Sequence, residues 1–586
     1  MNIKNITIKN FRNFNDFSID FSEGFQTIIG ENNIGKSNLY WAIRLVLDKD
    51  LSFNSRKLEL KDFFGYKKIL TLDDYILISI ELFSSELSHF PTFHSFKTSE
   101  TTARITYVFA HKNKFTEDES IPEKIEINDF NWKLFAGNDT FDLTELLEKS
   151  AQIGFRDLEG INLYYINAFR NINQDLHGSS KSLLSKYCQS REKAEEELES
   201  VKSILKTSSD SLNRLPFIPE LASTIQDKGL NIAGQYFSFP IAISFLSNYD
   251  VDAWSQLNLF FSPEAGNNIP IHILGLGQKN ILYLSLFVAE LENSSKQQEI
   301  NILLIEEPEA HLHPQLQKIL FANLNELKTT QVFMTSHSTH IASDCNYKNL
   351  NVLFRNLKKD VKSFSPFKKG LLSTRENLLL KRYLDATRSE MFFASAIIYV
   401  EGVGEQFIIP AIAKEVYGIN LTEHNISVIP IHSRYFDPYL KIVQDNNLEI
   451  PAVAIIDGDS DELEEEDEAT SAVKNAKKLE VADRVIVSSG NKTLETDLFP
   501  NNSINIAYLE NCFDNLGHSK SFENLIATTE NWDIELIKRI DQSIKKGRFA
   551  QELSLLIDEN FIVPKYIEDA LLHIAKCKNI KIRNAK

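Results

Sequence analysis

Cysteine is scarce in this sequence, with only Cys188, Cys345, Cys512 and Cys577 among 586 residues. None of them lies in a CxxC or CxxH spacing, so zinc sites and thiol redox motifs find no support. So little cysteine also excludes a disulfide scaffold and favours a reducing compartment.

Long hydrophobic runs are absent as well. No segment approaches the roughly 18 consecutive apolar residues of a membrane-spanning helix. The amino terminus alternates polar and apolar residues and lacks the apolar core of a signal peptide. The sequence therefore predicts a soluble, cytoplasmic protein without a membrane partner.

Positive charge is in deficit, since 63 Lys and Arg face 81 Asp and Glu, for a formal net charge of −18. Phosphate backbones are bound through cations, so a nucleic-acid function requires a local basic surface or metal ions. Residues 538–586 provide one basic segment, with eleven Lys and Arg against six Asp and Glu. The hydrophobic fraction of 43% is that of an ordinary globular protein.

Periodicity predicts an α/β organisation. Alternation over 3–8 and the apolar run 25–30 indicate two strands, and apolar residues at helical spacing after Lys36 indicate a helix. Residues 70–140 are rich in strand-forming patterns. A charged, helical composition marks an insertion at about 180–235, which is either a dimerisation arm or a plain surface hairpin. The polar stretch 357–374 is predicted to be a linker.

Four apolar runs in the second half predict strands at 396–400, 427–431, 452–456 and 484–488. Helical stretches separate them, and strands that alternate with helices form a mostly parallel sheet.

The segment GENNIGKS at 30–37 matches the phosphate-loop pattern G-x-x-x-x-G-K-[ST] between a predicted strand and a predicted helix. Its glycines let backbone N–H groups face phosphate oxygens, and the helix N-terminus adds partial positive charge. Lysine is expected to reach the terminal phosphates and serine to bind Mg²⁺. ATP with Mg²⁺ is predicted here, and the alternative is a βα turn without a ligand. The predicted contacts are Gly30, Asn32, Asn33, Gly35, Lys36, Ser37 and Asn38.

Three later segments favour the same nucleotide site. The predicted strand 302–306 ends in Glu306 and Glu307, of which the first would hold Mg²⁺ through water and the second would polarise the attacking water. His337 follows the next predicted strand, where it would sense the γ-phosphate. A Gly-rich turn at 274–279 opens a helix. Each segment alone has a plain structural explanation, and only the combination with the phosphate loop indicates nucleotide chemistry.

Together these motifs, with LLIEEPEAHLHP, TSH and the opening IKNFRNF, resemble the ABC-type ATPases of the SMC/RecF group. The resemblance implies that two ATPase heads sandwich nucleotide, with residues 274–279 of one head meeting the ATP held by the other. Glu306 stands where Asp is commoner in that group, and LGLGQ where LSGGQ is typical. Both departures leave the rate of hydrolysis open.

A second set of carboxylates follows the predicted strands 396–400 and 452–456, and two more acids lie in TLETDL at 493–498. Neighbouring parallel strands end at one edge of a sheet, so these side chains should converge. Hard oxygen ligands suit Mg²⁺ or Mn²⁺, and their number suffices for two ions about 3.5–4 Å apart. The alternative is a solvated acidic loop. The predicted metal ligands are Glu401, Glu405, Asp457, Asp459, Glu495 and Asp497.

This E…DxD pattern resembles the Toprim domain of topoisomerases, primases and nucleases, and an ABC-type ATPase followed by Toprim resembles the OLD (overcoming lysogenisation defect) family. The resemblance implies that Glu401 is both acid/base and metal ligand, and that Asp457 and Asp459 bind metal. It also implies that Lys546 of KKGRFAQEL stabilises the pentavalent phosphate, with Lys545 as the alternative register.

The implied fold is α/β, in three parts. They are an ABC-type ATPase domain at 1–390 with the helical dimerisation insertion, a Toprim domain at 391–510, and a helical, basic segment at 511–586. The implied partners are double-stranded DNA, ATP, and further copies of the chain in a homodimer or homotetramer. Some family members act alone, and others resemble the nuclease subunit of the Gabija antiphage system, which works with a UvrD-like helicase.

We therefore predict an ATP-regulated, metal-dependent DNA endonuclease in antiviral defence, which nicks DNA or cuts both strands. The main alternative is an ATP-gated DNA clamp or repair scaffold with an inactive Toprim domain. A third possibility is a Toprim enzyme that acts on RNA.

Overall fold

The structure is a computed structural model. The predicted insertion at 180–235 is described only from residue 214, and Asp459 lies outside the described residues. The described residues are 1–85, 96–116, 124–167, 214–235, 240–245, 257–262, 269–270, 273–282, 284–285, 300–310, 312–327, 329–340, 349–366, 370–384, 388–458, 471–501, 503–526 and 532–583.

Six antiparallel strands form the first sheet: β1 (Asn2–Phe11), β2 (Phe14–Asp20), β4 (Tyr75–Phe83), β5 (Thr102–His111), β6 (Phe130–Ala136) and β7 (Ala151–Ile153). They lie in the order β2-β1-β4-β5-β6-β7. The strand-rich prediction for 70–140 is confirmed. The sequence prediction missed β2, which pairs with β1 through a tight turn in which Arg12 has a φ of 51°.

A second sheet carries the phosphate loop. Its strands are β3 (Gln26–Gly30), β8 (Ile161–Ile166), β12 (Ile300–Glu306), β13 (Thr330–Ser336), β14 (Leu350–Arg355) and β15 (Val361–Phe364). They lie in the order β15-β14-β3-β13-β12-β8, and only β15 is antiparallel to its neighbour. Strands β3, β12 and β13 are buried along their whole length, as parallel strands covered on both faces are.

The predicted linker at 357–374 is partly wrong, because β15 lies within it. Val361 and Phe364 are buried while the two residues between them are half-buried, so a short strand with polar sequence still pairs with β14. Three further strands, β9 (Ile241–Phe245), β10 (Leu257–Phe261) and β11 (Ile269–Pro270), form a small antiparallel sheet.

Four parallel strands form the sheet of the second half: β16 (Ala396–Val400), β17 (Ile426–Pro430), β18 (Ala452–Ile456) and β19 (Val485–Ser489). Their order is β17-β16-β18-β19, and their positions confirm the four predicted strands within one residue.

Helices pack against the sheets of both halves. In the first half they are α1 (Lys36–Leu47), α2 (Leu143–Lys149), α3 (Phe217–Ala233) and α4 (Pro314–Leu324). In the second half they are α5 (Thr374–Tyr383), α6 (Val403–Glu415), α7 (Asp437–Ile442), α8 (Ser471–Lys477), α9 (Leu494–Leu498), α10 (Ile506–Asn515), α11 (Ser519–Ile526), α12 (Trp532–Arg539), α13 (Lys546–Leu556) and α14 (Lys565–Lys578).

One hydrophobic core crosses the boundary between the two halves. It joins Ile29 of β3 and Leu350 of β14 to Ile397 and Tyr399 of β16, with Leu380 of α5 beside them. All five side chains are buried. The strand that leads into the phosphate loop and the central strand of the second half therefore share one apolar interior.

The shared core can be tested by comparing a buried and an exposed leucine of α5. Leu380→Ala should lower the free energy of unfolding by about 2–5 kcal/mol, because it opens a cavity where the side chain is 1% exposed. Leu378→Ala, two residues away on the same helix but 64% exposed, should change it by less than about 0.5 kcal/mol. Denaturant unfolding of both variants measures the difference, and equal losses would contradict the shared core.

Candidate functional site

The phosphate loop runs from β3 into α1, and its backbone conformation requires glycine at two positions. Gly30 and Gly35 have φ values of 151° and 114°, which side-chain-bearing residues rarely adopt. A Cβ at Gly30 would clash with the carbonyl oxygen of Leu353, and one at Gly35 would clash with the side chain of Asn13. Both positions therefore require glycine, because the loop packs closely against Leu353 and Asn13.

Lys36 lies behind this loop and is only 6% exposed. Its Nζ donates hydrogen bonds to the carbonyl oxygens of Gly30 at 2.8 Å and Glu31 at 3.0 Å. Burial lowers the pKa of Lys36 to about 8, although nearby acids, led by Glu307, favour the charged form. The lysine is thus a desolvated cation that an anionic oxygen would stabilise.

His337 joins this lysine to an acid. Its Nδ1 lies 3.3 Å from Lys36 Nζ, and its Nε2 lies 3.3 Å from Glu307 Oε1. Burial, and then the charge of Lys36, lowers the pKa of His337 to about 4. The imidazole is therefore neutral at pH 7, so Nε2–H donates to Glu307 and Nδ1 accepts from Lys36.

Glu306 ends strand β12 and is 7% exposed. Burial, together with this carboxylate, raises the pKa of the neighbouring Tyr165 to about 12, and the two side chains share a hydrogen bond. Glu306 does not line the nucleotide pocket described below, and its contact with Mg²⁺ through water stays a prediction.

Sequence reasoning missed Glu309, two residues after Glu307. Its Oε1 accepts hydrogen bonds from Ser336 Oγ at 2.6 Å and from the backbone N–H of His337 at 3.0 Å. Burial raises the pKa of this carboxyl group. Glu309 thus fixes the turn that carries His337, and the repeated acid in EEPE was the available signal.

The nucleotide pocket is a cavity of about 810 Å³ in front of the phosphate loop. The predicted residues Gly30 and Glu306 are not among those that line it. Arg12 and Arg355 line it without having been predicted, and an Arg12 Nη1 donates to Asn38 Oδ1 at 2.8 Å. Of the predicted residues, the walls contain Asn32, Asn33, Gly35, Lys36, Ser37, Asn38, Glu307 and His337.

The Gly-rich segment 274–279 leads into a helical stretch from residue 276. The next residue, Asn280, donates from Nδ2 to the carbonyl oxygens of Pro308 at 3.2 Å and Ala310 at 3.1 Å. These hydrogen bonds hold the start of the helix against the acidic turn after β12. The segment does not contribute to the walls of the described nucleotide pocket. Its contact with ATP on a second head stays a prediction.

A second cavity, of about 360 Å³, opens at the carboxyl edge of the second parallel sheet. We call it the carboxylate pocket and define it by Glu401, Glu405, Asp457, Glu495 and Lys546. Glu401 follows β16 and Asp457 follows β18, and the backbone N–H of Asp457 donates to Glu401 Oε1 at 2.9 Å. The remaining three lie on the first turns of α6, α9 and α13.

Negative charge in the carboxylate pocket is only partly balanced. Burial, and then the charge of Glu495, raises the pKa of Glu405, whose Oε2 also accepts the N–H of Gly402 at 3.1 Å. Lys546 Nζ lies 3.3 Å from Glu495 Oε2. Burial alone would lower the pKa of Lys546, but Glu495 and the other acids nearby raise it. The lysine therefore stays charged.

The structure places Lys546, and not Lys545, in this pocket. A π-helical turn, Ile540–Ile544, precedes α13, and Lys545 has a φ of 83°. Lys545 Nζ instead donates to the carbonyl oxygen of Asp541 at 3.0 Å.

Asp497 lies beside the pocket rather than in its walls. Its Oδ2 accepts the N–H groups of Asn491 at 2.9 Å and Lys492 at 3.4 Å, so it holds the turn after β19. Within the described residues, no three acids, histidines or cysteines are close enough together to hold an ion. The pocket thus gathers four predicted ligands without closing a coordination shell.

Two pocket residues were not predicted from the sequence. His432 and Arg434 lie in the turn after β17, and Arg434 Nε is 3.9 Å from Glu401 Oε2. Nothing in the local pattern HSRY marks them, because only the sheet order brings β17 beside β16.

None of the described helices combines the length and apolar character needed to cross a membrane. The AAA ATPase domain model matches residues 1–342, and the model of the TOPRIM domain of overcoming lysogenization defect protein-like proteins matches residues 392–459.

Three curated proteins show the same relationship. The chain is 28% identical over 231 residues to endonuclease GajA of Bacillus cereus strain HuB5-5, in a match that covers 35% of this chain and 33% of that protein. It is 24% identical to endonuclease GajA of Bacillus cereus strain VD045, covering 76% of this chain and 73% of that protein. It is also 24% identical to the OLD nuclease of Thermus scotoductus strain ATCC 700910 / SA-01, covering 69% of this chain and 72% of that protein.

The AAA ATPase match spans more than half of the chain, and it includes most of the residues that line the nucleotide pocket. The second match begins just before β16 and ends shortly after β18, the two strands that carry Glu401 and Asp457. The chain therefore belongs to the AAA ATPase domain family and joins to that domain a Toprim domain of the OLD type, in a homologue of GajA and the OLD nucleases.

Proposed function

We propose that this protein is an ATP-regulated, divalent-metal-dependent endonuclease that hydrolyses phosphodiester bonds of double-stranded DNA. The observation that carries the proposal is the carboxylate pocket, in which acids from two parallel strand ends and two helices share one cavity with Lys546. The names of the relatives, endonuclease GajA and OLD nuclease, support the same reaction.

The donor set of the carboxylate pocket fits Mg²⁺ or Mn²⁺. Carboxylate oxygens are the hard ligands these ions prefer. Burial, and then the charge of Glu495, raises the pKa of Glu405, so a nearby cation would stabilise its charged form. Glu401, Asp457 and Asp459 would hold a first ion. A second ion would draw its ligands from Glu405, Glu495 and Asp497. When bound, two such ions activate water and stabilise the leaving oxygen.

The chain's own residues have separate tasks in this reaction. Lys546 supplies a fixed positive charge for the phosphate under attack, and the acids around it keep it protonated. Glu401 is held in orientation by the N–H of Asp457 and is the group that takes the proton. Arg434 is 61% exposed at the rim, where it is available to the DNA backbone.

Positive charge near the carboxylate pocket would allow DNA to bind although the chain has a net charge of −18. Lys546 and Arg434 lie at the pocket, α13 opens with the basic run 545–548, and bound metal ions add further positive charge. We include in the proposal a homodimer or homotetramer that sandwiches ATP, a role in antiviral defence, and a UvrD-like helicase partner as in the Gabija system.

A direct contact between the two halves supports regulation by ATP. Asn425, in the turn before β17, donates from Nδ2 to Glu31 Oε1 at 2.9 Å. Glu31 is a phosphate-loop residue whose carbonyl oxygen accepts from Lys36 Nζ. Lys578 of α14 lies beside the same contact: burial lowers its pKa, and the charge of Glu31 opposes that shift. A movement of the loop on nucleotide binding would therefore reach the Toprim domain.

A nucleotide-gated DNA clamp or repair scaffold is the second candidate function. It is favoured by the lack of a three-ligand cluster among the residues that the structure describes. Incubation of supercoiled plasmid with the protein and Mg²⁺ or Mn²⁺ separates the two: nicked or linear product supports the nuclease, and binding without strand breaks supports the scaffold.

Glu401→Gln should lower plasmid cleavage by about 100-fold or more, because the variant loses both a ligating oxygen and the proton acceptor. The substitution keeps the side-chain shape, so the melting temperature should change little. Glu423→Gln, an exposed acid of the same domain, is the matched control and should cut at the wild-type rate. Undiminished cutting by purified Glu401→Gln protein would refute the assignment.

ATP affinity should depend on pH through Lys36. Phosphate favours the charged lysine, so below pH 8 the free protein is already protonated at Lys36 and the affinity is independent of this group. Above the pKa of about 8, binding must take up a proton, and the affinity should fall roughly tenfold per pH unit. Titration calorimetry from pH 7.5 to 9.5 measures the slope.

Lys36→Arg is the control for this pH dependence, because arginine stays charged throughout that range. Its affinity, whatever the starting value, should be flat from pH 7.5 to 9.5. A wild-type affinity that is equally flat would contradict the role of Lys36 as the phosphate-binding cation.

Asn425→Gly should weaken the effect of ATP on cleavage while leaving cleavage without ATP unchanged. Glycine tolerates the left-handed backbone at this position, where φ is 54°. The substitution therefore removes the side-chain hydrogen bond to Glu31, together with one to the carbonyl oxygen of Phe393 within the same half. A net hydrogen bond of about 0.5–1.5 kcal/mol predicts a change of roughly two- to tenfold in the ratio of rates with and without ATP.

Asn446→Gly is the matched control for Asn425→Gly. Asn446 also has a left-handed backbone, with a φ of 62°, and is exposed in a turn of the Toprim domain. Its variant should keep the wild-type response to ATP. If both variants respond to ATP as the wild type does, the Asn425–Glu31 contact does not transmit regulation.

A further inference from the structure

The phenol of Tyr566 lies beside the carboxylate pocket but has no place in the chemistry described above. Tyr566 is the second residue of α14, a helix that packs across β18 and β19. Its backbone carbonyl oxygen accepts a hydrogen bond from Ser488 Oγ, near the end of β19, at 2.6 Å. The residue is thus anchored at the sheet edge where the acids converge.

The Tyr566 hydroxyl oxygen is buried, and among the residues that the structure describes it has no hydrogen-bond partner. Its surroundings are acidic: burial, and then the charges of four carboxylates led by Asp497 and Asp457, raises the pKa of Tyr566 far above its ordinary value. The phenol is therefore a neutral hydrogen-bond donor in acidic surroundings.

The surroundings of Gly490 show that the ring of Tyr566 and the carboxylate of Asp497 pack closely together. A Cβ at Gly490 would lie 3.1 Å from Tyr566 Cζ and would also clash with Asp497 Oδ2. The space that a side chain would take is thus filled by the ring on one side and the carboxylate on the other. The Tyr566 ring and the Asp497 carboxylate therefore lie next to each other at the sheet edge.

A buried O–H group without an acceptor costs free energy, and most such groups in proteins are satisfied. Phenylalanine would fill the same space without that cost. A tyrosine here gains its hydrogen bond when a neighbouring carboxylate rotates, as carboxylates do when they turn toward a cation. Carboxylates that bind metal ions are commonly held by such hydrogen bonds from outside the coordination shell.

We propose that Tyr566 is a positioning residue for the divalent-cation site, and that its O–H donates a hydrogen bond to the ligating carboxylate of Asp457 or Asp497. The inference rests on the proposed function only in taking the carboxylate pocket as a cation site. It does not depend on which reaction that site performs.

The test compares full-length wild-type protein with Tyr566→Phe, using Mn²⁺ as the titrant in calorimetry without nucleotide. The Glu401→Gln variant identifies which binding transition belongs to the carboxylate pocket. For Tyr566→Phe that transition should weaken by about tenfold or more, in line with the loss of other such hydrogen-bond donors around metal sites. The melting temperature without metal should be unchanged or raised, because an unsatisfied hydroxyl group has been removed.

Tyr508→Phe is the matched control. Its hydroxyl donates to Asp558 on the surface of the same C-terminal region, away from the pocket. This variant should bind Mn²⁺ as the wild type does.

A Tyr566→Phe affinity within twofold of wild type would overturn the proposal. A lowered melting temperature without metal would also overturn it, because the hydroxyl would then be structural. Wild-type protein without a Mn²⁺ transition that depends on Glu401 would overturn it as well. Wild-type protein that binds Mn²⁺ but leaves plasmid intact would refute only the nuclease, because the effect of Tyr566 on affinity is read independently of cleavage.

Discussion

Parallel strands that lie side by side end at the same edge of their sheet, and both candidate sites depend on this constraint. In the first half, β3, β13 and β12 are neighbours, so the phosphate loop, His337 and the acidic turn follow adjacent strand ends. In the second half, β16 and β18 are neighbours, and one hydrogen bond joins Glu401 to Asp457 across 56 residues of sequence. A sheet with another strand order would keep every motif and bring none of these groups together.

The two sites handle buried charge in opposite ways. The walls of the nucleotide pocket carry more basic than acidic side chains: Arg12, Lys36, Lys61, Arg355 and Lys359 against Asp62 and Glu307. In the carboxylate pocket four acids share Lys546, with Arg434 at the rim, so negative charge is in excess. A pocket that already contains its cation attracts an anion such as a phosphate, whereas a pocket with surplus carboxylates attracts metal ions. The charge balance thus favours an anion at the first site and cations at the second, although the two sites have similar topology.

Sequence reasoning recovered what local patterns encode. The phosphate loop, the acids at strand ends and the four strands of the second half are short-range signals, and the structure has them where the pattern predicted. Residues that act from a neighbouring element were missed, because their sequence surroundings are ordinary: Arg12 in a turn, Arg434 after β17 and Tyr566 at the start of α14. Strand β15 was missed for a related reason, since only pairing with β14 makes its polar sequence extended. Asp459 lies outside the described residues, so its role stays a prediction.

The shared core gives the contact between Asn425 and Glu31 its significance. An exposed hydrogen bond is weak by itself and would break if two domains moved independently. Here Ile29, at the entrance to the phosphate loop, lies in the same apolar cluster as Ile397 and Tyr399, which lead to Glu401. Packed cores transmit displacement because they have little free volume. The nucleotide pocket at one sheet edge and the carboxylate pocket at the other are therefore linked by a cluster of packed side chains. The exposed contact between Asn425 and Glu31 adds a second, polar connection between the two halves.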